Sequence, residues 1–132
     1  IAEIELLGSL WAEMKPLIEF LSNADADEPT SYLYISKRCS ALYATSAGLL
    51  SGEIRKEYFM SSYELTKFAT ELDMKISGLE LLVSAAAVQE DIKKFVEIYD
   101  TDSEQSYIES GLKLSPLINK DLLTCNAIYK SD

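Results

Sequence analysis

The chain has 132 residues, 48% of them hydrophobic and 26% charged, and its formal net charge is −10. This length allows one domain, residues 1–132, with a core of its own, and the composition argues against a disordered chain. The negative charge repels nucleic-acid phosphates and anionic lipids. We therefore expect neither nucleic acid nor a membrane as a partner.

The sequence leaves the compartment open. No stretch of about 18 apolar residues predicts a membrane-spanning helix, so we expect a soluble protein. The chain starts without Met and without a basic and apolar leader, as a trimmed chain or an exported protein without its signal peptide would. Both a cytoplasmic and an exported location are compatible with this pattern.

The first predicted helix spans residues 2–22. Pro16 lies inside its apolar pattern without shifting the phase, so we expect a kink there and not a break. A polar loop, residues 23–29, follows. The apolar residues recur at alternating spacings of three and four, which is typical of a helix packed along a partner; they are Ile4, Leu7, Trp11, Met14, Ile18 and Leu21.

The second predicted helix, residues 31–51, is the one around which we expect the other helices to pack. The surrounding stretch from Thr30 to Gly52 contains no acidic residue, although the chain has 22, and its only charges are Lys37 and Arg38. A helix with so few charges on every side is usually covered on more than one side. The following residues, 53–60, fit either a helical turn or a packed connector.

A capping box at Ser61 and Glu64 predicts the start of a third helix, residues 62–86. The apolar stripe then moves to nearly the opposite side for residues 88–100. The pattern is compatible with two helices or with one long helix that exchanges partners. Because no glycine or proline marks a break near residue 86, we favour a kink or a tight junction.

The remainder of the chain predicts a short helix and a last long one. Residues 103–110 form the short helix, and Gly111 closes it. Ser115 is placed as the cap and Pro116 as the first residue of the final helix, residues 116–130. No segment shows the alternation of a strand, so the predicted fold is all-α: a bundle of four principal helices with one or two short accessory helices.

The two cysteines are interpreted as small buried side chains, with a single disulfide in an exported protein as the alternative. In an up-down-up-down bundle the second and fourth helices lie diagonally. Cys39 then lies in the first half of its helix and Cys125 near the end of its own. This predicts a Cα separation above the ~7 Å limit for a disulfide, so we expect the thiols to be unbonded.

The sequence contains no histidine. This excludes catalytic sites that need an imidazole base, as well as haem and di-iron sites that need histidine ligands. The acidic stretch from Asp100 resembles a calcium loop, but Gln105 and Gly111 stand where that loop needs a glycine and a bidentate glutamate. We therefore predict no catalytic residue, no cofactor, no metal ion and no enzymatic activity.

The leading hypothesis is a non-catalytic helical bundle that acts through protein–protein interaction, first as a homodimer. Small residues and one tyrosine recur on the outer face of the central helix, where a second helix can approach closely. This predicted dimer face consists of Tyr34, Ala41, Ala44, Thr45 and Gly48. Alternatively, residues 53–60 or 88–100 fold over this face and leave a monomer.

The alternative function is a carrier or sensor that holds a small, mainly apolar molecule between helices. Hydroxyl and thiol side chains share the inner face of the central helix, and buried hydroxyls need hydrogen-bond partners. They either bond to one another and to helix carbonyls or line a ligand cavity. The residues of this predicted cavity are Tyr32, Ser36, Cys39, Tyr43 and Ser46.

Overall fold

The structure, a computed structural model, describes residues 14–23 and 28–130. Helices and no strands occupy this part of the chain, so the predicted all-α bundle is confirmed. The part of the predicted helix 2–22 before residue 14, including Trp11, lies outside the described residues. The described helices are α1 (Leu17–Asn23), α2 (Pro29–Leu49), α3 (Glu53–Ser77), α4 (Leu81–Ser110) and α5 (Pro116–Tyr129). None of them is both long and apolar enough to cross a bilayer.

The central helix is α2, as its lack of charges predicted. It contacts α3, α4 and α5, and the side chains of Cys39, Leu42 and Tyr43 are fully buried among them. Pro29 occupies its first turn, where a missing N–H costs no helical hydrogen bond. The long uncharged surface of α2 is therefore the middle of the core.

The next two helices run down and up beside α2. Leu33 near the start of α2 packs with Ala69 in the second half of α3, whereas Tyr43 further along packs against Tyr58 near the start of α3, with ring centroids 5.1 Å apart. These pairs make α3 antiparallel to α2. Val88, near the start of α4, joins the cluster of Leu33, so α4 runs back in the direction of α2.

The last helix, α5, lies across α2. At its beginning, the Ser115 hydroxyl caps the helix by accepting from the Ile118 N–H, and it also donates to Asp102 of α4. Just beyond its end, the Lys130 ammonium group donates to the Ser61 hydroxyl of α3 at 2.8 Å. The predicted cap at Ser115 is confirmed, and α5 connects α4 to α3 over one face of α2.

The kink predicted at Pro16 is instead the start of a helix. Residues 14–16 are not helical, and α1 begins at Leu17. The Leu17 N–H, which has no partner inside the helix, donates to Asp121 Oδ1 of α5 at 2.7 Å. A first-turn N–H needs such an external acceptor, and here α5 provides it.

The junction predicted near residue 86 is wrong in position. The chain turns at Gly78, whose positive φ of 73° ends α3 and whose N–H donates to the Met74 carbonyl. Glycine adopts this left-handed conformation without the steric cost that other residues have. Leu79 continues the apolar spacing of the predicted helix 62–86, but it is half-exposed in the turn. The apolar stripe of that predicted helix therefore does not belong to one helix face.

Two further boundaries differ from the prediction. Residues 53–60 belong to α3, so Ser61 is not a cap: its hydroxyl donates to the Glu57 carbonyl one turn earlier. Residues 100–110 belong to α4, which continues to Ser110 before Gly111 ends it. The predicted short helix 103–110 is thus the last part of a long one, whereas its predicted closure at Gly111 is confirmed.

Cys39 and Cys125 form a disulfide, so the prediction of unbonded thiols is wrong. Their Cα atoms are 5.8 Å apart, within the range that a disulfide spans. The error came from the assumed diagonal packing. Because α5 crosses directly over α2, Cys125 can lie beside Cys39 although it is near the end of its own helix.

Candidate functional site

The most unusual side-chain cluster is a buried ion pair between α2 and α5. Arg38 is 2% exposed and Asp121 is 0% exposed, and Arg38 Nη2 lies 2.9 Å from Asp121 Oδ2. Charged side chains are rarely buried so completely unless each one is paired and hydrogen-bonded. The two residues are 83 positions apart, so the pair fixes α5 against the first half of α2.

Neighbouring groups complete the hydrogen bonds of this pair. Arg38 donates through Nε to the Tyr99 hydroxyl at 2.9 Å, through Nη1 to the Tyr34 hydroxyl at 3.0 Å, and through Nη2 to the Lys15 carbonyl. The Tyr99 hydroxyl in turn donates to Asp121 Oδ2 at 2.6 Å. The cluster therefore joins α2, α4, α5 and the segment before α1 at one point.

Burial and the neighbouring charges together decide the charge states of this cluster. Burial raises the pKa of the Tyr99 phenol well above its ordinary value, so the hydroxyl stays neutral and remains a donor. Burial alone would lower the pKa of Arg38, but the Tyr99 and Asp121 oxygens around the guanidinium more than offset this and raise it. The Asp121 carboxylate is enclosed by three donors and closed to solvent. This arrangement holds helices together and offers no accessible acid, base or nucleophile.

A second polar contact lies between α2 and α3. The Ser40 hydroxyl is 2.7 Å from the Thr66 hydroxyl and 2.8 Å from the Ser62 carbonyl. Small side chains allow the two helices to approach closely, and these hydrogen bonds satisfy the hydroxyls that become buried. Within the described residues, no group of three or more side chains is arranged to hold a metal ion.

The residues of the predicted ligand cavity do not converge on one space. Tyr32 is half-exposed, Cys39 is in the disulfide, and the Ser36 hydroxyl donates to the Leu33 carbonyl at 3.0 Å. Ser46 is buried, and its hydroxyl has no hydrogen-bond partner among the described residues. Tyr43 is the member that borders a pocket, and its hydroxyl donates to Asn126 of α5 at 2.7 Å.

That pocket has a volume of about 380 Å³ and lies between α3 and the end of α5. Leu65 and Phe68 of α3 form an apolar wall opposite Tyr129. Lys130 stands at its edge, with its ammonium group 5.4 Å from the centroid of the Tyr43 ring. Burial raises the pKa of Tyr129 to about 12, so the phenols that border this pocket are neutral.

The predicted dimer face is largely covered by the chain itself. Ala41 and Thr45 are buried, and the ring of Tyr34 packs between Phe20 of α1 and Phe95 of α4. Ala44 is partly buried, and Gly48 is exposed near the end of α2. Residues 88–100 thus contribute to the cover, as the monomeric alternative anticipated.

A different surface exposes several large apolar side chains. The turn between α3 and α4 and the residues on either side of it carry five of them, which we call the hairpin tip. Their exposure ranges from 42% for Ile76 to 82% for Leu82. The only charge between residues 76 and 89 is Glu80, in a chain with 34 charged residues. The hairpin tip consists of Ile76, Leu79, Leu81, Leu82 and Val83.

The sequence reasoning missed both the hairpin tip and the buried ion pair. For Arg38 a signal was present: an arginine in the middle of an acid-free, mostly buried helix requires a partner from elsewhere in the chain. For the hairpin tip the signal was Gly78 within an apolar stretch, which marks a turn whose flanking residues cannot all be buried.

Comparison of the chain with protein-family models, curated proteins and solved structures finds no match in any of the three. Its function has therefore to be inferred from the residues themselves.

Proposed function

We propose that this protein is a non-catalytic helical bundle that acts by binding protein, and that the first partner is a second copy of the same chain. The hairpin tip is the observation that supports this proposal. Five large apolar side chains exposed around one turn are unfavourable in water, and patches of this kind commonly mark an interaction site. The enclosed Arg38–Asp121 cluster supports a non-catalytic role because its charged groups are used inside the core.

A second copy suits this surface because the hairpin tip is complementary to itself. Two molecules related by a two-fold axis would place apolar residues against apolar residues and bury them on both sides. Ala86 and Ala87, which follow the hairpin tip on α4 and are exposed, would let the two α4 helices approach closely. A molecule with a charge of −10 repels its copy, and this repulsion is weakest where the surface carries only Glu80.

Leu82→Glu tests this interface. The side chain is 82% exposed, so the substitution leaves the monomer stable but introduces a charge at the centre of the hairpin tip. Burial of one leucine contributes about 1.5–3 kcal/mol, and a symmetric dimer contains the residue twice, so the dimer dissociation constant is expected to rise more than about a hundredfold. Sedimentation equilibrium at micromolar concentration measures this change.

Gly48→Glu is the matched control, because it adds the same charge at an exposed position of the predicted dimer face on α2. If Gly48→Glu dissociates the dimer and Leu82→Glu does not, the interface is on α2 and the hairpin tip is not the site. A wild-type chain that stays monomeric at all micromolar concentrations would contradict self-association. Binding of that monomer to neutral phosphatidylcholine vesicles through Leu82 would assign the hairpin tip to lipid instead.

The pocket beside Tyr43 supports a second candidate function, a carrier for a small, mainly apolar molecule. Leu65, Phe68 and Tyr129 offer apolar contacts, and Lys130 offers one polar group at the edge. Native mass spectrometry of the purified protein separates the two functions in one measurement. A reproducible bound compound favours the carrier, whereas an empty dimer favours the interaction protein.

The disulfide supports the proposal that the protein functions in an oxidising compartment. Disulfides persist in exported proteins and are rare where thiol reductants are abundant. Cys39 and Cys125 are both fully buried, and the described residues contain no unbonded cysteine. We infer that the chain functions outside the cytoplasm, and peptide mapping of the native protein without reductant tests whether the bond is present.

A further inference from the structure

We propose that a pocket where α2 and α4 both end binds an alkylammonium cation. The pocket has a volume of about 390 Å³, within the range of small-molecule sites, and lies apart from the hairpin tip, at the opposite end of α4. We call it the amine pocket. Its lining includes acidic, aromatic and apolar side chains and one lysine, among them Leu49, Asp100, Glu104, Tyr107, Ile108 and Lys113.

The charge of the amine pocket favours a cation. Asp100 and Glu104 lie one turn apart on α4, and neither forms an ion pair within the described residues. Lys113 is the single cation of the lining, so the pocket retains a net negative charge. Partial burial, together with the carboxylates of Glu104 and Glu97, raises the pKa of Asp100.

Two helix ends add to this negative potential. The last carbonyl groups of an α-helix point away from it without helical partners and carry a partial negative charge. Both α2, which ends at Leu49, and α4, which ends at Ser110, finish beside the amine pocket. Neither helix has a basic residue in its last turn to offset this charge. A bound ammonium group would supply the missing positive charge.

The aromatic and apolar residues define the kind of cation. The Lys113 ammonium group lies 5.3 Å from the centroid of the Tyr107 ring, so this ring face already receives an ammonium ion in the native chain. Leu49 and Ile108 offer apolar surface beside the carboxylates. A primary ammonium group on a short alkyl chain matches both features, whereas a bare metal ion would use the carboxylates alone.

The test is a titration of the full chain with n-butylammonium chloride. The amide and side-chain chemical shifts in NMR spectra monitor the binding. We expect saturable shifts at Tyr107, Ile108 and Leu49. The double variant Asp100→Asn/Glu104→Gln is expected to weaken binding more than tenfold, whereas Glu109→Gln, which removes a charge from the same helix outside the lining, is expected to change it less than twofold. Lys113→Met is expected to strengthen binding, because it removes a competing ammonium group.

The ring is tested by a matched pair of variants. Tyr107→Phe keeps the aromatic face and is expected to retain binding, whereas Tyr107→Leu keeps only apolar surface and is expected to weaken it severalfold. Equal losses of butylammonium affinity in Glu109→Gln and in Asp100→Asn/Glu104→Gln would show that the attraction is diffuse. This result would overturn the proposal. So would the absence of saturable shifts at Tyr107.

The ammonium group could belong to a free amine or to a lysine side chain. A capped tripeptide, acetyl-Gly-Lys-Gly-amide, is therefore titrated in parallel with butylammonium. Binding of butylammonium alone assigns the amine pocket to free amines. Binding of the peptide with the same dependence on Asp100 and Glu104 assigns it to lysine side chains of a protein partner.

Discussion

Arg38 and Lys37 are neighbours in sequence, yet their ion pairs differ in environment. Lys37 Nζ lies 2.7 Å from Asp91 Oδ2 on the surface, where the aspartate side chain is 45% exposed. Arg38 and Asp121 form their pair inside the core. Solvent screens the first pair, whereas removal of one partner of the second leaves a buried charge uncompensated. The two pairs should therefore respond very differently to the same substitution.

Asp121→Asn is expected to lower the free energy of unfolding by about 3–5 kcal/mol, because it leaves the Arg38 guanidinium buried without a counter-charge. Asp91→Asn, the matched control, is expected to lower it by less than about 1 kcal/mol. Urea denaturation of the two variants measures the difference. Equal losses would contradict the burial of the Arg38–Asp121 pair.

The double variant Arg38→Met/Asp121→Leu separates the pair's own contribution from the cost of breaking it. Apolar residues of similar volume need no counter-charge, so the double variant is expected to be more stable than Asp121→Asn. If the double variant loses more free energy of unfolding than Asp121→Asn, the hydrogen bonds from Arg38 to Tyr34 and Tyr99 contribute most of the stability of this cluster.

At the scale of helices, the existence of most elements could be predicted, but their ends and crossing could not. The acid-free stretch identified α2, and Ser115 with Pro116 identified the start of α5, because those signals are local. The end of α3 depended on Gly78, whose neighbours continue the apolar spacing. The path of α5 across α2 depends on Asp121 and Cys125, whose partners lie more than 80 residues away.

Removal of the disulfide is expected to lower the free energy of unfolding by about 4 kcal/mol. The bond closes a loop with a sequence separation of 86 residues, and long loops gain most from a cross-link in the unfolded state. The double variant Cys39→Ala/Cys125→Ala, compared with the oxidised wild type in urea, measures this loss. If reductant leaves the unfolding midpoint of the wild type unchanged, the bond is not present in the folded protein.

At the scale of the whole molecule, buried tyrosines connect stability to alkaline pH. Burial raises the pKa of Tyr43, Tyr99 and Tyr129 in the folded chain, that of Tyr129 to about 12. In the unfolded chain a tyrosine titrates near pH 10. Between these values the unfolded state loses protons that the folded state keeps, so the stabilising effect is complete below about pH 10 and is lost as the pH rises.

We therefore expect the free energy of unfolding to fall between about pH 10 and pH 12, by up to about 1.4 kcal/mol per pH unit for each of these tyrosines. Tyr129→Phe should make the slope less steep. Tyr63→Phe, at a side chain that is 64% exposed, is the matched control. Urea titrations at each pH give the slope, and a flat profile over this interval would contradict the raised pKa values of the three phenols.

The surfaces of the molecule were harder to predict than its core. Periodicity identifies which residues are apolar, and burial of most of α2 follows from that. It does not show which apolar residues remain outside, as Leu82 does, nor that Asp100 and Tyr107 meet the end of α2. Those positions depend on where helices end and turn, which only the assembled bundle defines.

The disulfide also divides the chain mechanically. All of α3 and α4 lies between Cys39 and Cys125, so a pulling force applied to residues on either side of the loop passes through the sulfur–sulfur bond and bypasses both helices. At about 3.5 Å per extended residue, the loop withholds roughly 300 Å of contour length, which reductant would release. The helices that carry the hairpin tip and most of the amine pocket are therefore shielded from tension along the chain.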